Sequence, residues 1–130
     1  MEIELFTLCD YAQDNNGKLT IVGTFDRLYA RSFPVVHSHM SVVTRLRFPA
    51  EKEGHHQIKI RLTDNEGKEM LQPVEGSFTT SLTSGMLYAP VNLVFNFINI
   101  QFKSAGRYAF EMYVDGEWQS GLSLFIMQMP

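Results

Sequence analysis

Regular alternation of apolar and polar residues is the feature that most constrains the fold. In residues 107–114 the positions of one parity are all large and apolar: Tyr108, Phe110, Met112 and Val114. The positions between them are Arg107, Ala109, Glu111 and Tyr113. Side chains of a β-strand point alternately to its two faces, so this spacing predicts a strand with one buried face.

Similar strand-like runs recur along the whole chain with turn residues between them. They cover residues 3–8, 18–25, 40–48, 57–64, 76–81, 92–102, 107–114 and 121–129. This spacing predicts one domain over residues 1–130, an all-β antiparallel sandwich of about seven to eight strands with an immunoglobulin-like or related topology. Residues 27–37 are the best helical candidate, but Pro34 favours an irregular connection.

The alternation also names a core. The residues that share a buried parity are Leu19, Ile21 and Phe25, then Val42, Leu46 and Phe48, then Ile58, Ile60 and Leu62. Residues 92–102 differ, because their apolar side chains change parity after Phe97. Either both faces of that strand are covered, or a bulge near Phe97 shifts the alternation.

Four segments stand out along the chain: CDYA at 9–12, GKLTIVGTFDRLYA at 17–30, TRLRF at 44–48 and NLVFNFINIQFKSAGRYAFEMYVDGE at 92–117. Together they resemble a family of uncharacterised bacterial single-domain proteins of about 130 residues. The last two strands also resemble those of immunoglobulin-like and fibronectin-like sandwiches, which implies that Tyr108 bonds backbone at a corner. Cys9 stands alone, so an antibody-type domain with its paired cysteines is excluded.

Composition limits the partners and the compartment. The net charge is -3 and the 11 Lys and Arg residues are scattered, which argues against nucleic acid as a partner. The start MEIELFTLCDYAQ lacks the basic and apolar regions of a signal peptide, and no apolar run reaches about 18 residues, so we expect no membrane partner. With a single cysteine, these features favour a cytoplasmic protein, complete as written.

Histidines and aspartates are the candidates for chemistry. His37 and His39 point to the same side if the chain is extended there, and with Asp10 and Asp26 they suggest a small-ligand or metal-binding protein, possibly hydrolytic. The alternative is that the histidines are exposed loop residues and the aspartates cap turns or pair with arginine. No nucleophile elbow or phosphate loop is present, so we predict a non-enzymatic protein with no cofactor and no bound metal.

Large apolar residues outside the core predict contacts with a protein partner or a second copy. Some of them occupy connecting segments, and others lie off the buried parity of the last strand: Tyr29, Phe33, Met86, Leu87, Tyr88, Phe125 and Met127. The alternative is that those in connecting segments fold back onto the core.

The turn after residue 114 decides whether Trp118 is buried. A two-residue loop of Asp115 and Gly116 would turn Leu122 and Leu124 toward solvent. A three-residue loop that includes Val114 instead pairs Met112 with Trp118, Phe110 with Ser120 and Tyr108 with Leu122, all on the inner face. The sequence therefore predicts the longer loop, with Trp118 packed in the core.

Overall fold

The computed structural model describes residues 1–130 and contains nine strands and one 3₁₀ helix, Ala50–Lys52. The strands are β1 (Glu2–Asn15), β2 (Lys18–Thr24), β3 (Arg27–Ala30), β4 (Val35–Phe48), β5 (Gly54–Thr63), β6 (Val74–Thr80), β7 (Ala89–Phe102), β8 (Gly106–Val114) and β9 (Glu117–Gln128). They form a four-stranded sheet of order β2-β1-β4-β7 and a five-stranded sheet of order β3-β9-β8-β5-β6. No helix in the structure is long and apolar enough to cross a membrane.

Each of the eight strands predicted from the sequence is present, so the all-β prediction is confirmed. The ninth, β3, lies in the stretch predicted to be an irregular connection, and it pairs with β9 in parallel rather than antiparallel fashion. With four residues, β3 is too short for alternation to reveal it. Its ladder partner lies about a hundred positions later in the chain, a relationship that local pattern does not contain.

One apolar core lies between the two sheets. Val42, Leu46 and Phe48 of the first sheet meet Ile58, Ile60 and Leu62 of the second, and all six are at most 2% exposed, as the sequence predicted. Phe97 and Phe110 contact each other across this core with ring centroids 5.1 Å apart.

A smaller apolar cluster covers the other face of the four-stranded sheet. Val43 points away from the main core and packs with Cys9 and Ala12, against which Leu19 and Ile21 are partly buried. Leu19 and Ile21 were predicted for the core, but they belong to this second cluster. The hairpin that carries them is tied to β7 by Asn92, whose side-chain amide donates to Asp14 and to the Gly17 carbonyl.

The change of parity in β7 results from backbone geometry. Asn99 has a φ of +53° inside the strand. Phe97 before it and Ile100 after it are both buried, at 5% and 1% exposure. The alternation therefore shifts, as the second alternative expected, but the shift occurs at Asn99 and without a bulge, because the β4–β7 register is the same on both sides of it.

The predicted corner at Tyr108 is confirmed. Tyr108 is 5% exposed. Its hydroxyl donates to the Ser104 carbonyl oxygen at 2.6 Å. The bond fixes the turn between β7 and β8.

The predicted loop of the β8–β9 hairpin is wrong. Val114 pairs with Glu117, so only Asp115 and Gly116 form the loop, with φ angles of +52° and +81°. Such angles in both residues are typical of the two-residue hairpin turns that match strand twist. The leucines nevertheless face the core, because the register shifts between Met112 and Tyr113: Tyr113 pairs with Trp118, but Met112 pairs with Ser120.

That shift leaves Gln119 as an extra residue in β9, which is a β-bulge. Beyond it Leu122 lies opposite Phe110, and Leu124 opposite Tyr108. On the N-terminal side of the bulge, Trp118 lies opposite Tyr113 on the outer face. The Trp118 side chain is 57% exposed. Trp118 is therefore a surface residue, contrary to the sequence-based prediction.

Candidate interaction surface

The outer face of the five-stranded sheet carries the most distinctive surface of the molecule, here called the aromatic face. Because the inner residues of β8 are buried, the alternate residues point outward. Each has a cross-strand neighbour on β9 on the same side: Tyr113 with Trp118, Glu111 with Gly121, Ala109 with Ser123 and Arg107 with Phe125. The middle of the face therefore carries Glu111 and three small residues, and each end carries an aromatic side chain.

Trp118 is exposed but held in one orientation. Its indole Nε1–H donates to Glu111 Oε2 at 2.6 Å. The carboxylate occupies the space above Gly121, where a Cβ would lie 2.6 Å from Glu111 Oε2. Glycine at 121 thus makes room for the carboxylate that orients the indole.

Tyr113 is fixed from its other side by two cations of β5. Lys59 Nζ lies 4.8 Å from the centre of the Tyr113 ring, and Arg61 Nη1 donates to the Tyr113 hydroxyl at 3.1 Å. Arg61 Nε also donates to Glu69 at 2.7 Å. The hydrogen bonds with Tyr113 and Glu69 raise the pKa of the Arg61 guanidinium, so the cation is permanent.

Beside Tyr113 the surface dips into a shallow depression of about 330 Å³. Its lining is mixed in polarity and comes from β5, β6, β8 and the β8–β9 turn: Gln57, Ile58, Lys59, Glu75, Gly76, Ser77, Tyr113 and Gly116. Glycine at 76 and 116 leaves backbone accessible there. An aromatic ring, polar side chains and accessible backbone thus lie side by side in this depression.

A buried histidine anchors the turn that leads to Trp118. His56 is 7% exposed. Its Nδ1 lies 2.7 Å from Asp115 Oδ2 and its Nε2 lies 2.6 Å from the Lys52 carbonyl oxygen. The two ring nitrogens of His56 therefore lie between two acceptor oxygens, one from a side chain and one from the backbone. Asp115 Oδ1 also accepts the Gln57 N–H at 2.9 Å.

These contacts act on the charge of Asp115. Burial raises the pKa of Asp115, but the hydrogen bonds from His56 and from the Gln57 N–H together outweigh it, so the pKa lies below its ordinary value of 3.8. The ionised carboxylate therefore holds the turn at neutral pH.

The opposite end of the aromatic face lies on β3 and β9. Tyr29 pairs with Met127 and Arg27 with Phe125 across the parallel ladder. The Arg27 guanidinium lies 5.8 Å from the centre of the Phe125 ring. Tyr29, Phe125 and Met127, which the sequence predicted to lie on an interaction surface, thus come together, at 57%, 36% and 40% exposure.

Comparison with protein families identifies the chain without assigning an activity. The model of a family of unknown function, DUF6941, matches residues 4–127. The chain belongs to this family. Among curated proteins, none matches.

The remaining predicted contact residues of this DUF6941 member lie elsewhere. Phe33 packs against the main core, which is the alternative reading given above. Tyr88 is half-buried, and the Arg47 guanidinium lies 4.4 Å from its ring centre. Met86 and Leu87 are 41% and 89% exposed in the loop before β7, near the end of the sheets opposite Met127. The seven predicted contact residues therefore divide into three groups. Tyr29, Phe125 and Met127 form one surface, Met86 and Leu87 form a second, and Phe33 and Tyr88 are packed against other residues.

The histidines and aspartates proposed for metal or hydrolytic chemistry do not converge. The His37 ring lies 6.1 Å from that of Phe25, while His39 Nδ1 lies 2.8 Å from the Asp10 backbone oxygen. The Asp26 carboxylate pairs with Arg27 at 2.9 Å. Nowhere do three His, Cys, Asp or Glu side chains come together as metal ligands would.

Sequence reasoning did not anticipate Trp118 or the network of Glu111, His56 and Asp115 that supports it. A groove of about 650 Å³ between the β5–β6 and β7–β8 loops was missed as well. Each depends on residues far apart in the chain. The signal available for Trp118 was the Asp-Gly pair before it, which favours a two-residue turn.

Proposed function

We propose that the protein is a non-enzymatic binding domain that recognises another protein through the aromatic face. The observation that carries the proposal is the state of Trp118, more than half exposed and yet fixed by its bond to Glu111. Exposing an indole to water has no benefit for folding. Tryptophan, tyrosine and arginine are the side chains that most often dominate the binding energy of protein interfaces.

Preorganisation supports the same proposal. Binding a mobile side chain costs about 0.5–1.5 kcal/mol in lost rotamer freedom. Trp118 and Tyr113 already hold one orientation each, through Glu111 and through Arg61. A partner that covers them loses little of its binding energy to ordering this surface.

The charged groups of the face support binding over catalysis. Arg61 pairs with Glu69, Lys59 lies on the ring of Tyr113, and Glu111 accepts from Trp118. Each is occupied in positioning a neighbour. An acid or base that works on a substrate needs a polar atom directed at the bound molecule.

Strand order supports an immunoglobulin-related sandwich as the finer description of the fold. In one sheet the strand order β1-β4-β7 corresponds to the order A-B-E of such domains, with β2 added at the edge. In the other sheet the order β9-β8-β5-β6 corresponds to G-F-C-C′. Tyr108 then occupies the start of the strand equivalent to F, where these domains place their tyrosine corner. A cytoplasmic location and a bacterial source remain expectations drawn from the sequence.

Site-specific photo-crosslinking in the native host tests the proposed function. A photoreactive amino acid replaces Glu75, which lies in one cross-strand row with Lys59, Tyr113 and Trp118. The matched control carries it at Glu51, an exposed residue of the 3₁₀ helix outside this face.

We expect an adduct with a different protein from position 75, its loss when Trp118→Ala is added, and none from position 51. No adduct at position 75, one that survives Trp118→Ala, or one that joins two copies of this chain would contradict the proposal.

A further inference from the structure

The outer edge of β7 is the longest free strand edge of the two sheets. β7 is 14 residues long and lies at the end of the four-stranded sheet, so only β4 pairs with it. It is the one strand without a single Asp, Glu, Lys or Arg, whereas the other edge strands each carry a charge: Lys18 in β2, Arg27 in β3 and Glu75 in β6.

Edge strands in proteins are normally shielded, because their free N–H and C=O groups recruit other strands. In β7 the shielding devices lie only near the ends. Pro90 has no N–H to donate, and Asn99 at φ +53° interrupts the regular strand. The segment 91–98 between them has neither charge, proline nor glycine.

The inner side of this edge is also incompletely covered. Val91, Leu93 and Phe95 pack against the core but are only partly buried. A strand that paired here would satisfy the backbone groups and cover these three side chains together.

We propose that the occupant of this edge is β7 of a second copy, paired antiparallel about a two-fold axis at Val94. In a continuous sheet, residues opposite each other must share a face. Between Val91 and Phe97, the residues of β7 that face the core have odd numbers. An odd-numbered residue must therefore pair with an odd-numbered residue of the second copy, and an even-numbered residue with an even-numbered one.

An axis at Val94 meets this condition and lies at the centre of the segment 91–97. It pairs Leu93 with Phe95 of the second copy on the inner face, and Asn92 with Asn96 on the outer face. A strand without charge can pair with itself in this way without opposing like charges.

The second copy is favoured over a different protein because one register matches every residue of 91–97 with a residue of the same face and similar polarity. The remaining edges are less suited to self-pairing because each carries a charged residue. The proposal is independent of the aromatic face, which lies on the other sheet.

The test combines solution mass with a disulfide placed on the axis. At the axis the two Cα atoms of an antiparallel pair lie about 4.5–5.5 Å apart, within the range of about 4.4–6.8 Å that a disulfide spans. Val94→Cys is a small change, and the native Cys9 is 0% exposed, so it does not compete. The control is Val22→Cys, an exposed valine of β2 at the opposite edge of the same sheet.

We expect the wild-type chain to sediment at twice its 14.9 kDa. Under mild oxidation, Val94→Cys should form a covalent dimer at least about tenfold faster than Val22→Cys, because only its two thiols start in contact. The dimer should persist in Trp118→Ala, which separates this proposal from that for the aromatic face.

A wild-type monomer at all concentrations would overturn the proposal. So would a dimer in which Val94→Cys links no faster than Val22→Cys, because the axis would then lie elsewhere. A stable complex with a different protein whose strand protects the β7 amides from hydrogen exchange would overturn the choice of occupant.

Discussion

His56 and Asp115 join two segments that are far apart in the chain, the start of β5 and the turn between β8 and β9. Their Nδ1 and Oδ2 atoms are 2.7 Å apart, with the histidine buried and the carboxylate half-exposed. Phe48 and Phe78 lie against the imidazole, with ring centroids 4.4 Å and 5.6 Å away. The pair therefore connects the core to the turn that precedes Trp118.

Asp115→Asn should remove the charge while keeping the turn, because asparagine tolerates a positive φ. We expect a loss of about 1 kcal/mol in the free energy of unfolding at neutral pH, a moderate value because the carboxylate is half-exposed. Urea titration of the variant and the wild type measures the difference.

The difference in unfolding free energy between Asp115→Asn and the wild type should depend on pH. Because folding lowers the pKa of Asp115, its contribution is fully present above the ordinary value of 3.8 and is lost as the pH falls through the lower folded-state value. The variant and the wild type should therefore converge in stability in acid. Glu66→Gln is the control, since that side chain is 74% exposed and its difference from wild type should stay small throughout. A gap that stays constant down to acid pH would show that the charge of Asp115 does not stabilise the turn.

Tyr108→Phe should cost on the order of 1 kcal/mol or somewhat more, because the buried Tyr108 side chain loses its hydrogen bond to the Ser104 carbonyl. Tyr11→Phe is the matched control, since the Tyr11 hydroxyl bonds to Gln13 on the surface and its loss should change stability by less than about 0.5 kcal/mol. Denaturant unfolding of both variants gives the comparison. Equal effects would mean that the corner contributes nothing beyond an exposed hydroxyl.

Cys9 should resist alkylation in the folded protein. It is 0% exposed, and burial raises the pKa of its thiol, so the reactive thiolate is scarce as well as inaccessible. Labelling with iodoacetamide should be slow in buffer and rapid in denaturant, as followed by mass spectrometry. Rapid labelling under native conditions would indicate that the β1–β2 hairpin opens away from β4.

The sequence predicted most of the fold because alternation is a local signal. Tyr108, Phe110 and Met112 define a buried face by themselves, and the assignment of eight strands rests on patterns of this kind. The prediction failed where the answer depended on pairing across the chain.

The register of the last hairpin shows why. Burial of Leu122 and Leu124 was a sound constraint, but a longer loop and a bulge at Gln119 both satisfy it. Only the residue pairing between β8 and β9 distinguishes the longer loop from the bulge. The surface position of Trp118, and with it most of the candidate site, followed from that one extra residue.

Gly121→Ala tests the link between the hairpin and the candidate site. A Cβ at 121 would lie 2.6 Å from Glu111 Oε2 and 3.2 Å from Cδ, and these atoms end a flexible side chain. The carboxylate should therefore move and release the indole, while the backbone stays in place because Gly121 has no positive φ. Stability should fall by less than about 1 kcal/mol.

Trp118 is the only tryptophan, so its fluorescence reports on this site alone. We expect the emission of folded Gly121→Ala to change in intensity and anisotropy, toward that of Glu111→Ala, which has no acceptor for the indole N–H. Gly116→Ala is the control, since it should lower stability without changing the fluorescence of Trp118. Its added methyl meets nothing within 4 Å but forces a residue with Cβ to φ +81°, so it should cost about 1–2 kcal/mol in stability. The fluorescence of its folded state should stay close to that of the wild type. If Gly121→Ala left the emission unchanged, the carboxylate of Glu111 would not be what orients Trp118, and the preorganisation on which the proposed binding function rests would be lost.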